Sequence, residues 1–270
     1  PDNGDALLQR AHLLLRLRRL VDAVTGYGQV LQRAPHHLDA MVNRGNALLA
    51  LNWLEDALTS YDRALAIDPG NTAALVNRGG TLRRRRRLDE ALAGFDRALQ
   101  LAPNEVAAHA NRAQVLEDLR RPVEALAGYT QALALRPAEA QVHLNAGLCR
   151  LSMGDFAGGW PESKWRWELP SLQQALLQHT QPRWRGHEPL HGKSILLWHE
   201  MGLGDTIQFC RFAKPLAAQG ARVLLGVPPS MVRLMTGLAG VTAIVTTSDY
   251  TPPPDYHCPL TSLPQALNID

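Results

Sequence analysis

A chain of 270 residues that is 46% apolar and 20% charged has room for two folded domains and reads as globular rather than disordered. No apolar run approaches the roughly 18 residues of a membrane span, and the three cysteines, Cys149, Cys210 and Cys258, too far apart for a CxxC motif and odd in number, exclude a disulfide framework and a cysteine metal or redox motif. The net charge is +3, yet 18 basic residues stand against 16 acidic ones up to Glu139 and 10 against 9 beyond it, a balance that argues against nucleic acid as a partner.

The first half of the chain repeats every 34 positions. Ala11, Ala23, Tyr27, Val30 and Pro35 recur as Gly45, Ala57, Tyr61, Ala64 and Pro69, then as Gly79, Ala91, Phe95, Ala98 and Pro103, then as Ala113, Ala125, Tyr129, Ala132 and Pro137. Small residues fall where two antiparallel helices would touch, an aromatic ring falls where it can fill the gap between them, and the proline ends the second helix. Apolar residues three and four apart, such as Leu48, Leu51 and Leu54, predict helix, short turn, helix in every copy. One such pair cannot bury its apolar face alone, so the copies stack into a superhelix with a concave side. Period and residue order resemble the tetratricopeptide repeat from Gly4 to Glu139, although Leu7, Met41, Leu75 and His109 stand where that repeat usually has tryptophan.

Two columns run through the first helices. Asn43, Asn77, Asn111 and Asn145 occupy one position in successive copies, with Gln9 breaking the series at the start. A carboxamide donates and accepts, which suits the peptide units of an extended chain, so the column is the candidate peptide-binding groove; bonding between neighbouring repeats is the alternative for any one member. Arg10, Arg44, Arg78 and Arg112 follow one position later, where pairing with Asp62 or Asp96 is expected. The run Arg83 to Arg87 falls at an inter-helix turn and reads as a solvated basic edge complementing a helix dipole, or else as a dock for an acidic partner.

A further copy opens near Ala140 and degenerates, and Gly154 to Leu169 reads as an end cap in which Trp160, Trp165 and Trp167 cover the last apolar face. Residues 1–169 are therefore expected to form the repeat domain and 170–193, rich in proline and glycine, a linker. From Ser194 the pattern changes: strands are expected at 194–198, 222–227, 241–246 and 256–260, with helices at 206–219 and 230–238. That alternation implies a parallel sheet over 194–270.

The first strand opens into HEMGLGDTIQF, His199 to Phe209. Glycines between a strand and a helix let backbone amides face an anion, but Ile207 stands where a dinucleotide fingerprint needs its last glycine. A Gly-x-Gly-Asp loop in this setting, together with GARVLLGVPPSMVRLM and DYHCPLTSLP, resembles the first lobe of heptosyltransferase-like glycosyltransferases fused to tetratricopeptide repeats, and the asparagine column is similar to that of O-linked N-acetylglucosamine transferases. The resemblance implies an all-α repeat superhelix followed by a partial Rossmann-like unit. It also implies Asp205 as a base on an acceptor hydroxyl in a cleft shaped by Gly202, Gly204 and Thr206, with N-capping of the following helix as the other role for Asp205. A nucleotide-sugar would be held mainly by a second such domain, so this chain alone is expected to turn nothing over.

His199 with Glu200, and His257 with Cys258, are further candidate pairs for which no third, orienting residue is identifiable. Neither a metal nor a cofactor is expected. The expected partner is a polypeptide, in a reducing cytoplasm; the opening on Pro1 reads as a segment of a longer protein. The competing expectation is a non-catalytic protein-interaction scaffold.

Overall fold

The computed structural model describes residues 3–246 and 252–269. The chain forms two compact units, Pro1–Asp155 and Phe156–Asp270.

Among its described residues the first unit is helical. Helices α1 (Asn3–Arg16) and α2 (Leu20–Arg33) form one antiparallel pair, followed by α3 (Leu38–Ala50) with α4 (Leu54–Ile67), α5 (Thr72–Arg84) with α6 (Leu88–Leu101), and α7 (Val106–Asp118) with α8 (Pro122–Leu135). Helix α9 (Ala140–Ser152) opens a fifth copy. The first helices of the second, third and fourth pairs begin on side-chain caps, with His37, Asn71 and Glu105 accepting backbone N–H bonds from Ala40, Ala74 and Ala107, which satisfies donors a helix start leaves over. Second helices start without such caps and instead carry acidic residues in the first turn, where the dipole favours them; Arg19–Asp22, Arg87–Glu90 and Arg121–Glu124 pair there.

Ala57, Tyr61 and Ala64 and their counterparts in the other copies are buried, as the repeat pattern requires. The smallest position lies on the first helix in the second and third pairs and on the second helix in the first and fourth. Gly45 lies under the Tyr61 ring, so a Cβ there would clash with it, and a Cβ on Gly79 would come 2.7 Å from Phe95. In the first and fourth pairs the first helix carries Ala11 or Ala113, and the facing glycine is Gly26 or Gly128 on the second helix, whose added Cβ would lie 3.0 or 3.1 Å away. Close approach needs one missing side chain per crossing, and either helix can supply it.

Every turn between paired helices places one residue in the left-handed region: Arg18, Asn52, Arg86 and Arg120 at φ near 60°, and Gly154 at 82°. The next residue returns its N–H to a carbonyl five positions back, as in Trp53 to Leu48 and Arg121 to Leu116, which closes the helix end. Arginine is a strained occupant of that conformation. Arg120→Gly is expected to raise unfolding free energy by about 0.5–1 kcal/mol, the relief of Cβ strain exceeding the added chain entropy; a urea titration showing no gain or a loss would contradict this.

In the second unit, α10 (Phe156–Ser163) and α11 (Pro170–Leu176) precede four parallel strands, β1 (Ser194–Trp198), β2 (Arg222–Gly226), β3 (Ala243–Val245) and β4 (Tyr256–Pro259), in the order β3-β2-β1-β4. Every residue of β1 is buried, as befits a central strand covered on both faces. Helices α12 (Leu203–Phe209) and α13 (Ala213–Ala218) lie between β1 and β2, α14 (Val232–Met235) follows β2, and α15 (Leu263–Ala266) follows β4. Phe209, Leu216, Met231 and Met235 pack with Ile195, Leu197, Val223 and Leu225. Asp255 fixes the start of β4 beside β1, accepting from the Ser194 N–H and hydroxyl at 2.8 Å each and from Lys193; the Ser194 backbone bond leads the interactions that hold its carboxyl at about 2.

Three expectations change here. The tryptophan segment expected to cap the repeats belongs to the second unit: Trp160 packs against Phe209, and Trp167 against Trp198. The stretch 170–193 is more than a linker, since it contains α11, a bridge from Arg183 to His257 and the buried Trp184. The single helix expected over 206–219 is two helices joined by a 3-10 turn at Cys210–Phe212.

Candidate functional sites

The asparagine column divides. Asn77 Nδ2 donates to Asn46 Oδ1 at 2.8 Å, Asn46 Nδ2 to Asn43 Oδ1 at 3.4 Å, and Asn43 Nδ2 lies 3.4 Å from His12 Nε2. The Tyr61 hydroxyl also donates to Asn46 Oδ1, at 2.8 Å. Asn43 and Asn77 thus belong to a relay that ties the first three pairs together. Asn145 accepts from Gln141 at 3.0 Å on its own helix, and Asn111 has no side-chain hydrogen bond among the described residues; both are half-buried. Asn46, the hub, escaped the sequence reading because its counterparts are Gly80, Gln114 and Leu148, so it forms no column.

Three of the four column arginines are structural. Arg78 pairs with Asp62 at 2.6 Å and Arg112 with Asp96 at 2.5 Å, whereas Arg44, whose equivalent partner position holds Gly28, bonds Ser60 at 2.9 Å. The run at the turn is engaged throughout: Arg83 bonds Asp118 and Gln114, Arg84 bonds Leu49 O and Asn52, and Arg85, Arg86 and Arg87 pair with Glu55, Asp118 and Glu90. Exposed pairs of this kind contribute about 0–1 kcal/mol each, but they link the third pair to the second and fourth and occupy the cations an acidic partner would need.

The loop after β1 places Asp205 in the first turn of α12. Its Oδ2 accepts the Gly202 N–H at 2.9 Å, so the capping role is occupied. His199 Nδ1 lies 2.6 Å from the Thr206 hydroxyl, which also reaches Gly202 O at 3.4 Å. Burial lowers the His199 pKa against the pull of Asp205, which favours a neutral ring. The structure therefore brings His199, Gly202, Asp205 and Thr206 together, while a Cβ on Gly204 would meet nothing within 4 Å.

The other two pairs do not form catalytic couples. Glu200 is fully enclosed and reaches Arg166 Nη2 at 3.4 Å, while His199 bonds Thr206. His257 Nδ1 accepts from the Trp198 indole at 3.0 Å, and burial leads the effects that push its pKa down to about 4. Cys258 has no solvent exposure, and burial pushes its thiol up to about 12, so the thiolate a nucleophile needs does not form. Among the described residues no group of three or more His, Cys, Asp or Glu side chains could hold a metal ion, and no helix is long and apolar enough to cross a membrane.

The tetratricopeptide repeat family matches residues 8–72, 54–106 and 77–140. Solved structures with the same architecture include MamA from Desulfovibrio magneticus RS-1, 16% identical over 65% of this chain and 97% of that one with a TM-score of 0.54. PilF of Pseudomonas aeruginosa is 22% identical over 60% and 75%, with a TM-score of 0.55, and a thermophilic repeat protein of Thermus thermophilus is 22% identical over 64% and 95%, also at 0.55. At these identities the likeness is one of fold. No curated protein matches the chain.

Proposed function

We propose, with residues 8–140 being tetratricopeptide repeats, that the protein is a protein–protein interaction module holding an extended polypeptide against the first helices of its fourth and fifth copies. The observation that carries this is the division of the asparagine column. Asn43, through both its amide atoms, and Asn77, through its nitrogen, are tied into the relay between repeats, whereas Asn111 makes no side-chain bond among the described residues and Asn145 only one, on its own helix, which leaves both with capacity for a peptide backbone. With each net hydrogen bond contributing about 0.5–1.5 kcal/mol, losing both carboxamides should weaken peptide capture about tenfold or more. Peptides selected from a displayed random library are expected to bind Asn111→Ala/Asn145→Ala that much more weakly with unchanged melting, whereas Asn43→Ala/Asn77→Ala should lower the melting temperature. Unchanged affinity in the first variant would sink the assignment.

A second reading, the first lobe of a sugar-transferring enzyme, is favoured by the sheet. The order β3-β2-β1-β4 reverses direction between β1 and β4, as in the first half of a doubly wound domain, and ligands of such sheets bind at the carboxyl ends beside that reversal. His199, Gly202, Gly204, Asp205 and Thr206 follow β1 at that end. In this reading Asp205 is the base on an acceptor hydroxyl, and a nucleotide-sugar is held across the cleft by a second Rossmann-like domain. Mass analysis of the captured peptides after incubation with nucleotide-sugars, with this chain joined to such a second domain, separates the two: a sugar-sized gain abolished by Asp205→Asn supports transfer, and binding without gain leaves the scaffold.

A further inference from the structure

We infer that the carboxyl ends of β1 and β4 form a binding site for a phosphate-type oxyanion, gripped by Arg183 and backed by Arg166. Two guanidiniums converge there on one hydroxyl: the Ser262 oxygen accepts from Arg166 Nη2 at 2.7 Å and from Arg183 Nη2 at 3.0 Å. Both ride on Trp167, each with its ζ carbon 4.5 Å from the ring centroid. Against these two cations stands one carboxylate, Glu200, in ion-pair reach of Arg166 only. Arg183 has no ion-pair partner among the described residues.

Arg166 is 4% exposed, and two like charges sharing one acceptor in so enclosed a place repel unless a counter-charge arrives. The unused hydrogen-bonding atoms belong to these same residues and to the neighbour of Ser262. Nε of Arg166, Nε of Arg183, the Thr261 hydroxyl and the Trp167 indole are buried without partners, and so is Glu200 Oε2. Four donors against one carboxylate oxygen select a ligand that only accepts, and a guanidinium fork matches the oxygens of a phosphate. Position agrees with chemistry. Glu200 follows β1, and Thr261 and Ser262 follow β4, so the cluster lies where the strand order reverses. Half-exposed Arg183 is the member that solvent reaches. The inference holds whether or not the unit transfers sugar.

Inorganic phosphate, pyrophosphate and uridine diphosphate should be titrated into the 270-residue protein at matched ionic strength, following tryptophan fluorescence and melting temperature. Saturable binding of at least one probe is expected, weakened at least tenfold by Arg183→Met and unaffected by Arg185→Met at the exposed neighbouring position. Tighter binding of uridine diphosphate than of pyrophosphate would identify a nucleotide as the source of the phosphate, and equal binding a simple phosphoryl group. If Arg183→Met does not fold, Arg183→Lys must weaken binding several-fold, because it keeps the charge and loses the fork. Absence of saturable binding by all three probes overturns the site, as does wild-type affinity in the folded Arg183 variant.

Discussion

Between pH 7 and pH 4, protonation of His257 is expected to remove about 3 kcal/mol from the stability of residues 156–270, read as the difference between the wild-type and His257→Gln profiles; burial raises the Glu200 carboxyl to about 7, so that group contributes in the opposite sense and is common to both proteins. The ring is buried, accepts the Trp198 indole proton through Nδ1 and stacks on His179 at 4.8 Å. Protonation would turn that acceptor into a donor facing a donor. Burial, His179 and Arg183 together hold the folded-state pKa at about 4, well below the ordinary value near 6.5. Over the interval between the two the unfolded chain binds the extra proton, so stability is fully present above pH 6.5 and declines as pH falls. Burial lowers the His179 pKa as well, and its contribution has the same sign. Asp255 weakens only as pH approaches about 2, below the window. Five of the six tryptophans lie in this unit, so urea titrations followed by tryptophan fluorescence report on it directly. His257→Gln, whose amide oxygen can still accept from the indole, is expected to flatten the dependence; an undiminished slope in that variant would refute the assignment.

Gly45→Ala should cost about 1–3 kcal/mol through overpacking against the Tyr61 ring, and Tyr61→Ala about 3–5 kcal/mol through the cavity it leaves. The informative quantity is their coupling. With the ring gone, the added methyl has somewhere to go, so the double variant should be more stable than the sum of the single losses predicts by at least about 1 kcal/mol. Additive losses in urea titrations followed by circular dichroism would mean that the backbone moves apart rather than the ring obstructing the methyl. Ala113, which already carries the methyl at the equivalent position, faces Gly128, showing how the chain itself resolves the same conflict.

The repeat register was legible because 34-residue spacing puts the same steric demand in the same place four times: Ala57, Tyr61 and Ala64 are buried wherever their counterparts recur. Positions that break the column were not legible. Asn46 is a hub in one copy only, and the alternation between Gly45 on a first helix and Gly128 on a second is visible only as a distance. The four strands of the second unit fell near their expected places because short apolar runs between turn residues leave few options. The tryptophan segment was misassigned for the opposite reason. Its partners Phe209 and Trp198 lie far along the chain, and no periodicity points across such a separation. The same holds for Arg166 and Ser262, 96 positions apart. For the loop after β1, the glycines and Asp205 were visible as a motif, but whether the carboxylate caps a helix or faces a cleft depends on the 2.9 Å bond to Gly202 that only geometry supplies.

The changing side of the missing methyl group also determines which pieces of the array can be exchanged. Joining the first helix of the fourth pair to the second helix of the second pair would set Ala113 against Ser60 and the Tyr61 ring, two obstructions where the crossing tolerates one. Whole helix pairs can be duplicated, deleted or grafted with their internal fit intact, whereas recombination inside a pair brings together halves shaped for different mates. The heritable module of this array is therefore the crossing rather than the single helix.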